Sequence, residues 1–295
     1  MPKQDRNIIG RSSPSRIYEF GDKLHKQLVI RNDAKKAAWE RSGKISGGKL
    51  GKPTLWVVLD MIGVPDEFDP YVLGKFQRGN DVEARAINFL TDLDLDFVVG
   101  VSDGRVENPG WTKSDGLLTG EFYLQKPGSY RGGVGFIDLA QKIGDSEVYH
   151  EIKSATKMSY DRVAASGYYK GKTADSKGNP VGVPQPQHAM QVAYYALGDD
   201  VTRTFLHYLN ADDYRLTTFA INPLDYKEEI DKEIDDIQLA FVTKQLPAFE
   251  TFLPWHTLKA YWSYKEWNEL TPSEMMTKLK NEFPNQYKKF QEMNI

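Results

Sequence analysis

The sequence predicts an α/β fold, a mixed β-sheet flanked by helices, with further helical regions before and after it. Three observations carry that prediction. Several short β-like runs follow a helical pattern in the middle of the chain, two of those runs read as a hairpin, and two more strand patterns follow a second helix. The boundaries read as a basic, helical N-terminal region over 1–75, a core over 76–222 and a helical extension over 223–295 packed on that core.

In order along the chain, a helical pattern runs to Lys36 and a glycine-rich break spans Gly43 to Gly51. Leu55 to Ile62 is apolar but for Asp60, and periodicity leaves strand and buried helical turn both open. From Phe76 the spacing of Val82, Ala86, Ile87, Phe89 and Leu90 predicts a helix, with Asn80 or Asp81 as its cap. Strand patterns follow at Phe97 to Val101, Leu117 to Leu124, Val134 to Ala140 and Glu147 to Ile152. The last two are separated by the turn-rich Gln141 to Ser146. Ser159 to Pro186 is rich in Gly, Lys, Ser, Tyr and Pro and reads as a long loop. Gln187 to Leu197 reads as a helix, Arg203 to Asn210 and Tyr214 to Ile221 as strands, and the rest as mostly helical.

Composition narrows the chemistry. With 295 residues the chain can bury a sizeable core, and with no cysteine it excludes disulfides, thiolate zinc sites, cysteine nucleophiles and cysteine-ligated iron–sulfur clusters. No apolar run is long enough for a membrane helix, and the start of the chain lacks the apolar stretch of a secretory signal. A soluble, unexported protein is expected. The net charge of -3 says little about partners, but its distribution is uneven. Lysines and arginines dominate between Lys23 and Lys52, and acids dominate from Asp225 to Asp236, an asymmetry that suits either an anionic partner or two solvated helix faces.

The chemistry-bearing set lies in the proposed hairpin. Gly135-Phe136-Ile137-Asp138 ends one strand pattern and His150-Glu151-Ile152-Lys153 ends the other. Alternation places Glu151 and Lys153 on one face, with Asp138 able to stand beside them. Two carboxylates form a hard-oxygen site suited to magnesium or manganese, and an adjacent lysine can orient or deprotonate a water for attack on phosphorus. A salt bridge across a hairpin is the plainer alternative. Other acid-x-lysine triplets, such as Asp33-Ala34-Lys35, Asp175-Ser176-Lys177 and Asp225-Tyr226-Lys227, lack an apolar strand leading into them. Glu83 opens the helix upstream. Gln187, Gln191 and Tyr195 form a polar stripe on the later helix.

The ordered set Gly-x3-Glu (Gly79, Glu83), Gly-x-Ile-Asp (Gly135 to Asp138), Glu-Ile-Lys (Glu151 to Lys153) and Gln-x3-Tyr (Gln191, Tyr195) resembles the PD-(D/E)xK nuclease superfamily. It is most similar to the RecB-type branch, which includes the exonucleases of CRISPR adaptation modules and phage exonucleases. The resemblance spans about Phe76 to Ile221. It implies a restriction-endonuclease-like core and magnesium- or manganese-dependent hydrolysis of DNA, expected as an exonuclease acting on single- or double-stranded ends in replication, recombination or phage DNA processing. It further implies metal ligation by Glu83, Asp138, Glu151 and the backbone carbonyl of Ile152, with Lys153 positioning the attacking water. Gln187, Gln191 and Tyr195 would support the site or touch DNA. Ile137 stands where proline gives the family its name, and without cysteine the iron–sulfur cluster of some relatives is ruled out. Asp115, in Ser114-Asp115-Gly116-Leu117, is a rival acid but lies far upstream of Glu151.

Lys157, Arg162, Lys170, Lys172 and Lys177, interleaved with Tyr160, Tyr168 and Tyr169, read as a DNA-contacting flap. Trp255, Tyr261, Trp262, Tyr264 and Trp267 suit either base stacking or a helical core patch. His150 is expected to face away from Glu151. A cytoplasmic location, in a bacterium or a phage-infected host cell, is expected. A helicase or recombinase delivering the substrate, and the oligomeric state, are left open. An endonuclease, or a catalytically silent DNA-binding module of the same fold, are the rival expectations.

Overall fold

A computed structural model describes residues 43–66, 70–91, 98–99, 112–114, 120–168, 182–250 and 263–295, together with six residues between 23 and 31. Contacts divide the chain into two compact units. The first takes residues 1–40 and 67–78, and its described residues are all helical. The second takes residues 41–66 and 79–295 and holds the sheet and every described residue of the proposed site.

The apolar run before the sheet resolves as a helix, α1 (Thr54–Ile62), not a strand. Pro53 supplies its N-cap, and Gly63 closes it by donating to the carbonyls of Leu59 and Asp60. Seven of its nine residues are buried, so it is apolar on nearly every side and carries no helical stripe to read. Helix α2 (Pro70–Thr91) begins earlier than expected. Asn80 and Asp81 are exposed mid-helix residues rather than caps, because Pro70, whose missing N–H costs nothing in a first turn, starts the helix instead.

The sheet has seven strands: β1 (Val98–Val99), β2 (Thr112–Ser114), β3 (Gly120–Gly128), β4 (Gly135–Ile143), β5 (Ser146–Ala155), β6 (Arg203–Asn210) and β7 (Leu216–Ile221). Their order is β1-β3-β4-β5-β6-β7, with β2 also paired to β3. β1 runs parallel to β3 and β5 parallel to β6, while the other pairs are antiparallel. The sheet is therefore mixed, and the α/β expectation holds.

A parallel β5–β6 pair needs a crossover. Helices α3 (Lys157–Tyr168) and α4 (Pro186–Gly198) lie within it. Helix α3 corrects the expectation of a loop from Ser159. Tyr160 and Val163 are buried one turn apart, and this apolar spacing is masked in the sequence by the surrounding Gly, Ser and Lys. Residues 169–181 lie outside the described residues.

Helix α4 is the central packing element. It buries Ala189, Met190, Val192, Ala193, Tyr194, Tyr195 and Ala196. Tyr195 lies flat against β4 at Gly135, where an added Cβ would come within 2.4 Å of its ring. Only a residue without a side chain permits that approach.

Beyond β7, α5 (Lys227–Thr243) buries Ile230, Ile234, Ile237 and Phe241 along one stripe. Helices α6 (Pro272–Glu282) and α7 (Pro284–Glu292) follow, α6 opened by a capping box between Thr271 and Glu274. Phe290 of α7 packs edge-on against Phe241 at 5.3 Å. Tyr264 and Trp267 are buried, which makes them core. Trp255, Tyr261 and Trp262 lie outside the described residues.

Candidate active site

The site forms where the β4–β5 hairpin stops pairing. Antiparallel partners run from Ile143↔Ser146 to Leu139↔His150 and end there. Two residues further along β5, the Ile152 N–H is taken not by the β4 backbone but by Asp138 Oδ2, at 2.7 Å. An interior N–H must find an acceptor, and here a carboxylate serves in place of the ladder. On the other side, Gln125 of β3 adopts a left-handed φ of 52° and donates to Asp138 Oδ1 at 3.4 Å. A non-glycine residue in that region costs on the order of 1 kcal/mol, and such strain gathers at functional sites.

Glu151 is 1% exposed. Its Oε1 accepts from Lys153 Nζ in a close ion pair and from Gln191 Nε2 of α4 at 2.7 Å. Its Oε2 is buried without any hydrogen-bond partner. An orphaned carboxylate oxygen in a protein interior is costly and calls for an explanation.

The electrostatics agree with that crowding. Burial, then the neighbouring Asp138, pushes the Glu151 carboxyl above its ordinary value. Asp138 is raised by burial against the opposing pull of Lys153 and the Ile152 N–H. Glu83 is raised by burial and then by Asp138. Burial works to lower the Lys153 ammonium, but Glu151 and Asp138, with Glu83 behind them, carry it above the usual lysine value. Lys153 is thus held as a cation, suited to orienting a water rather than to taking its proton.

Glu83 comes to this neighbourhood on α2, which passes close to β5 at Gly79; a Cβ there would stand 3.4 Å from Ser154 Oγ. Lys153 and Gln191 both bond Glu151, and Asp138 bonds the Ile152 N–H between Glu151 and Lys153, whereas Glu83 acts on Glu151 and Lys153 through its charge. Among the described residues, no three His, Cys, Asp or Glu side chains converge closely enough to hold a metal ion as they stand. The donor chemistry nonetheless fits a hard divalent cation: two buried carboxylates, one oxygen free of hydrogen bonds, and a charge on Asp138 that raises both Glu151 and Glu83.

The stripe on α4 is not a wet face. Tyr195 is 3% exposed and wedged on the sheet, Gln191 holds Glu151, and Gln187 is half-buried with Oε1 unpartnered. Lys157 is exposed on α3 and paired with Asp161 at 2.6 Å, and Arg162 is half-buried on the same helix. Lys170, Lys172, Lys177, Tyr169 and Asp115 lie outside the described residues. His150 bonds His207 at 3.0 Å and stacks on Phe205, and both imidazoles are held neutral by burial with pKa values of about 4.

Sequence reasoning missed a second element beside this centre. The glycine-rich segment after Gly43 is a strap laid across α4. Ile45 O accepts from Val134 N at 2.8 Å, and at Gly47 a Cβ would come within 2.9 Å of the Tyr195 ring. Gly51, at a φ of +71°, leaves no room beside Gln187 and donates its N–H to Glu233 of α5 at 2.8 Å. The cluster of glycines was the available signal, and it reads equally well as a break.

No family model matches the chain, and no curated protein matches it. Among solved structures it is similar to SSO0001, at 14% identity over 75% of this chain and 86% of that one, with a TM-score of 0.38. It is also similar to the alkaline exonuclease LHK-Exo from Laribacter hongkongensis, at 13% identity over 69% of this chain and 90% of that one, with a TM-score of 0.40. The complex of LHK-Exo with dAMP matches at a TM-score of 0.37. At these values the likenesses add no weight to the chemistry, which rests on the site itself. Among the described residues no helix is long and apolar enough to cross a membrane.

Proposed function

We propose that this protein is a metal-dependent nuclease whose centre is built from Asp138, Glu151 and Lys153, with Glu83 nearby. Within that class, the reading is a DNA exonuclease that hydrolyses phosphodiesters from ends. The observation that carries it is the buried Glu151, with one oxygen held by Lys153 and Gln191 and the other left without a partner beside buried Asp138. A surface salt bridge across a hairpin does not need a 1%-exposed acid. The mixed sheet flanked by helices is consistent with a nuclease-like core.

Asp138 and Glu151, with the Ile152 carbonyl and Glu83, would hold a magnesium or manganese ion. When bound, such an ion polarises the phosphate and stabilises the leaving oxygen. Lys153, kept cationic by the acids, orients the attacking water and offsets negative charge developing on phosphorus. Gln191 fixes Glu151 by a hydrogen bond, so the carboxylate is positioned before substrate arrives. Gln125 and the Ile152 N–H do the same for Asp138.

The test is digestion of end-labelled single- and double-stranded linear DNA beside a covalently closed circle. Magnesium, manganese or EDTA is supplied, with wild type and Lys153→Ala. Metal-dependent loss of linear DNA that spares the circle and disappears in Lys153→Ala is expected. Cutting of the circle would make the enzyme an endonuclease, and binding without cleavage would leave a silent DNA-binding module.

A further inference from the structure

The paired strands β3 and β4 change face partway along, and they do so at Asp138. On the side of the β4–β5 turn, Tyr123 pairs with Ala140 and Ala140 with Tyr149, so these three side chains share one face of the sheet. That face is the one α4 covers, because the Tyr149 hydroxyl bonds Asp199 at the C-terminal end of the helix. Further along the same two strands, Lys126 pairs with Ile137 and Gly128 with Gly135. These also face α4. Lys126 Nζ reaches the Tyr149 hydroxyl at 2.5 Å and Asp199 at 3.3 Å. A Cβ on Gly128 or on Gly135 would meet Tyr195 of α4 at 3.4 Å or 2.4 Å.

Strict alternation forbids this. Tyr123 and Lys126 are three residues apart, as are Ile137 and Ala140, and residues three apart on a regular strand point to opposite faces. The break lies between them: Leu124 pairs with Leu139 and Lys126 with Ile137, but Gln125 and Asp138 do not pair. Gln125 is the residue in the left-handed region, at a φ of 52°, and its backbone turns the chain over. Counted from Gly135 by alternation, Asp138 would point away from α4. The turnover places it instead on the face where Gln191 of α4 holds Glu151. There the Gln125 amide donates to Asp138 Oδ1 at 3.4 Å and the Ile152 N–H to Oδ2 at 2.7 Å. A carboxylate oxygen has two lone pairs, so each keeps one for a cation. Lys126, held also by Glu147 at 2.7 Å, pins β3 one residue beyond the kink.

We propose that Gln125 is a positioning residue for the metal ion, acting through Asp138. Its left-handed backbone brings the carboxylate to the metal-binding face, and its amide then fixes Oδ1. This rests on the nuclease reading above, but it concerns cation binding, which is measured without DNA. Backbone and amide can be separated. Glycine takes a left-handed φ freely and has no amide, asparagine tolerates that φ and carries a shorter amide, and valine has neither property.

The experiment is manganese binding to the free protein, by calorimetry or by the electron paramagnetic resonance of the free ion. Wild type, Gln125→Gly, Gln125→Asn and Gln125→Val are compared, with melting temperature and cleavage of linear DNA measured beside. In Gln125→Gly the melting temperature should hold or rise, while the Kd for manganese rises roughly tenfold, as for the loss of a hydrogen bond to a ligating carboxylate. Its kcat at saturating manganese should change little. Gln125→Asn should fall between wild type and Gln125→Gly, and Gln125→Val should lose both stability and affinity. Wild-type manganese affinity in Gln125→Gly overturns the inference, because a weak Gln125→Val alone reports only a damaged strand. A loss of affinity in Gln125→Gly that merely accompanies a lower melting temperature overturns it as well. If wild type binds manganese but cleaves no DNA, the nuclease reading fails and Gln125→Gly still decides the inference. If wild type binds no manganese, both fall.

Discussion

Removing Lys153 in the absence of metal should destabilise the protein far more than its place on a hairpin suggests. The side chains of Lys153 and Glu151 are 23% and 1% exposed, so the pair lies between the surface and interior regimes. Exposed pairs contribute about 0.2–1 kcal/mol, whereas stripping one partner from a buried pair costs about 3–5 kcal/mol, because a charge is left in the interior unpaired. With Lys153 partly open to solvent, Lys153→Met is expected to cost about 2–3 kcal/mol. Glu151→Gln removes the buried charge and keeps an acceptor for Gln191, so its cost should stay within about 1 kcal/mol. The double variant should resemble Glu151→Gln, giving a coupling of about 2 kcal/mol. The assay is urea denaturation in EDTA of the four proteins, followed by titration with manganese. A divalent cation replaces the missing positive charge, so manganese should recover part of the Lys153→Met deficit and little in the double variant. A coupling near zero, with Lys153→Met costing less than about 0.5 kcal/mol, would falsify the view that these residues form a buried reaction centre.

Gly135→Ala should destabilise by about 2–3 kcal/mol, since its methyl would meet the Tyr195 ring at 2.4 Å. It should also lower cleavage by moving Gln191 off Glu151, and full activity with unchanged stability would contradict the packing described. Glu233 is raised by burial to about 7, partly opposed by the Gly51 N–H, so the fold favours its protonated form. Its contribution to stability is therefore complete below the ordinary carboxylate value of 4.5 and lost as pH rises through about 7. Between pH 4 and pH 8 wild type should lose on the order of 2 kcal/mol relative to Glu233→Gln, read by urea denaturation; parallel pH profiles would reject this.

The hairpin was legible because a period of two, a turn-rich connection and acids at the strand ends all pointed one way. The sheet partners β6 and β7 were legible for the same reason. Helix α1 was ambiguous because full burial erases the stripe that separates helix from strand. Helix α3 was missed because its two buried positions, Tyr160 and Val163, lie among residues typical of loops. Asp138, Glu151 and Lys153 come from one local hairpin and could be placed by alternation alone. The strap could not, because it docks against a helix distant in the chain, and only the glycines at 47 and 51 hinted at the close approach. Gln125 carries no sequence signal at all, since a left-handed φ at glutamine is imposed by its surroundings.

The bond from Ile152 N to Asp138 Oδ2 has a practical bearing on how an inactive form should be made. On the proposed reading the aspartate is a reacting-centre acid, and it is also a mortar joint between two strands. Cutting it back to alanine would disable the chemistry and loosen the masonry at once, so lost DNA binding in Asp138→Ala could not be assigned to either. Asp138→Asn keeps an oxygen for the Ile152 N–H while giving up the charge. For trapping an uncut substrate on an intact scaffold, asparagine is the replacement this sheet asks for.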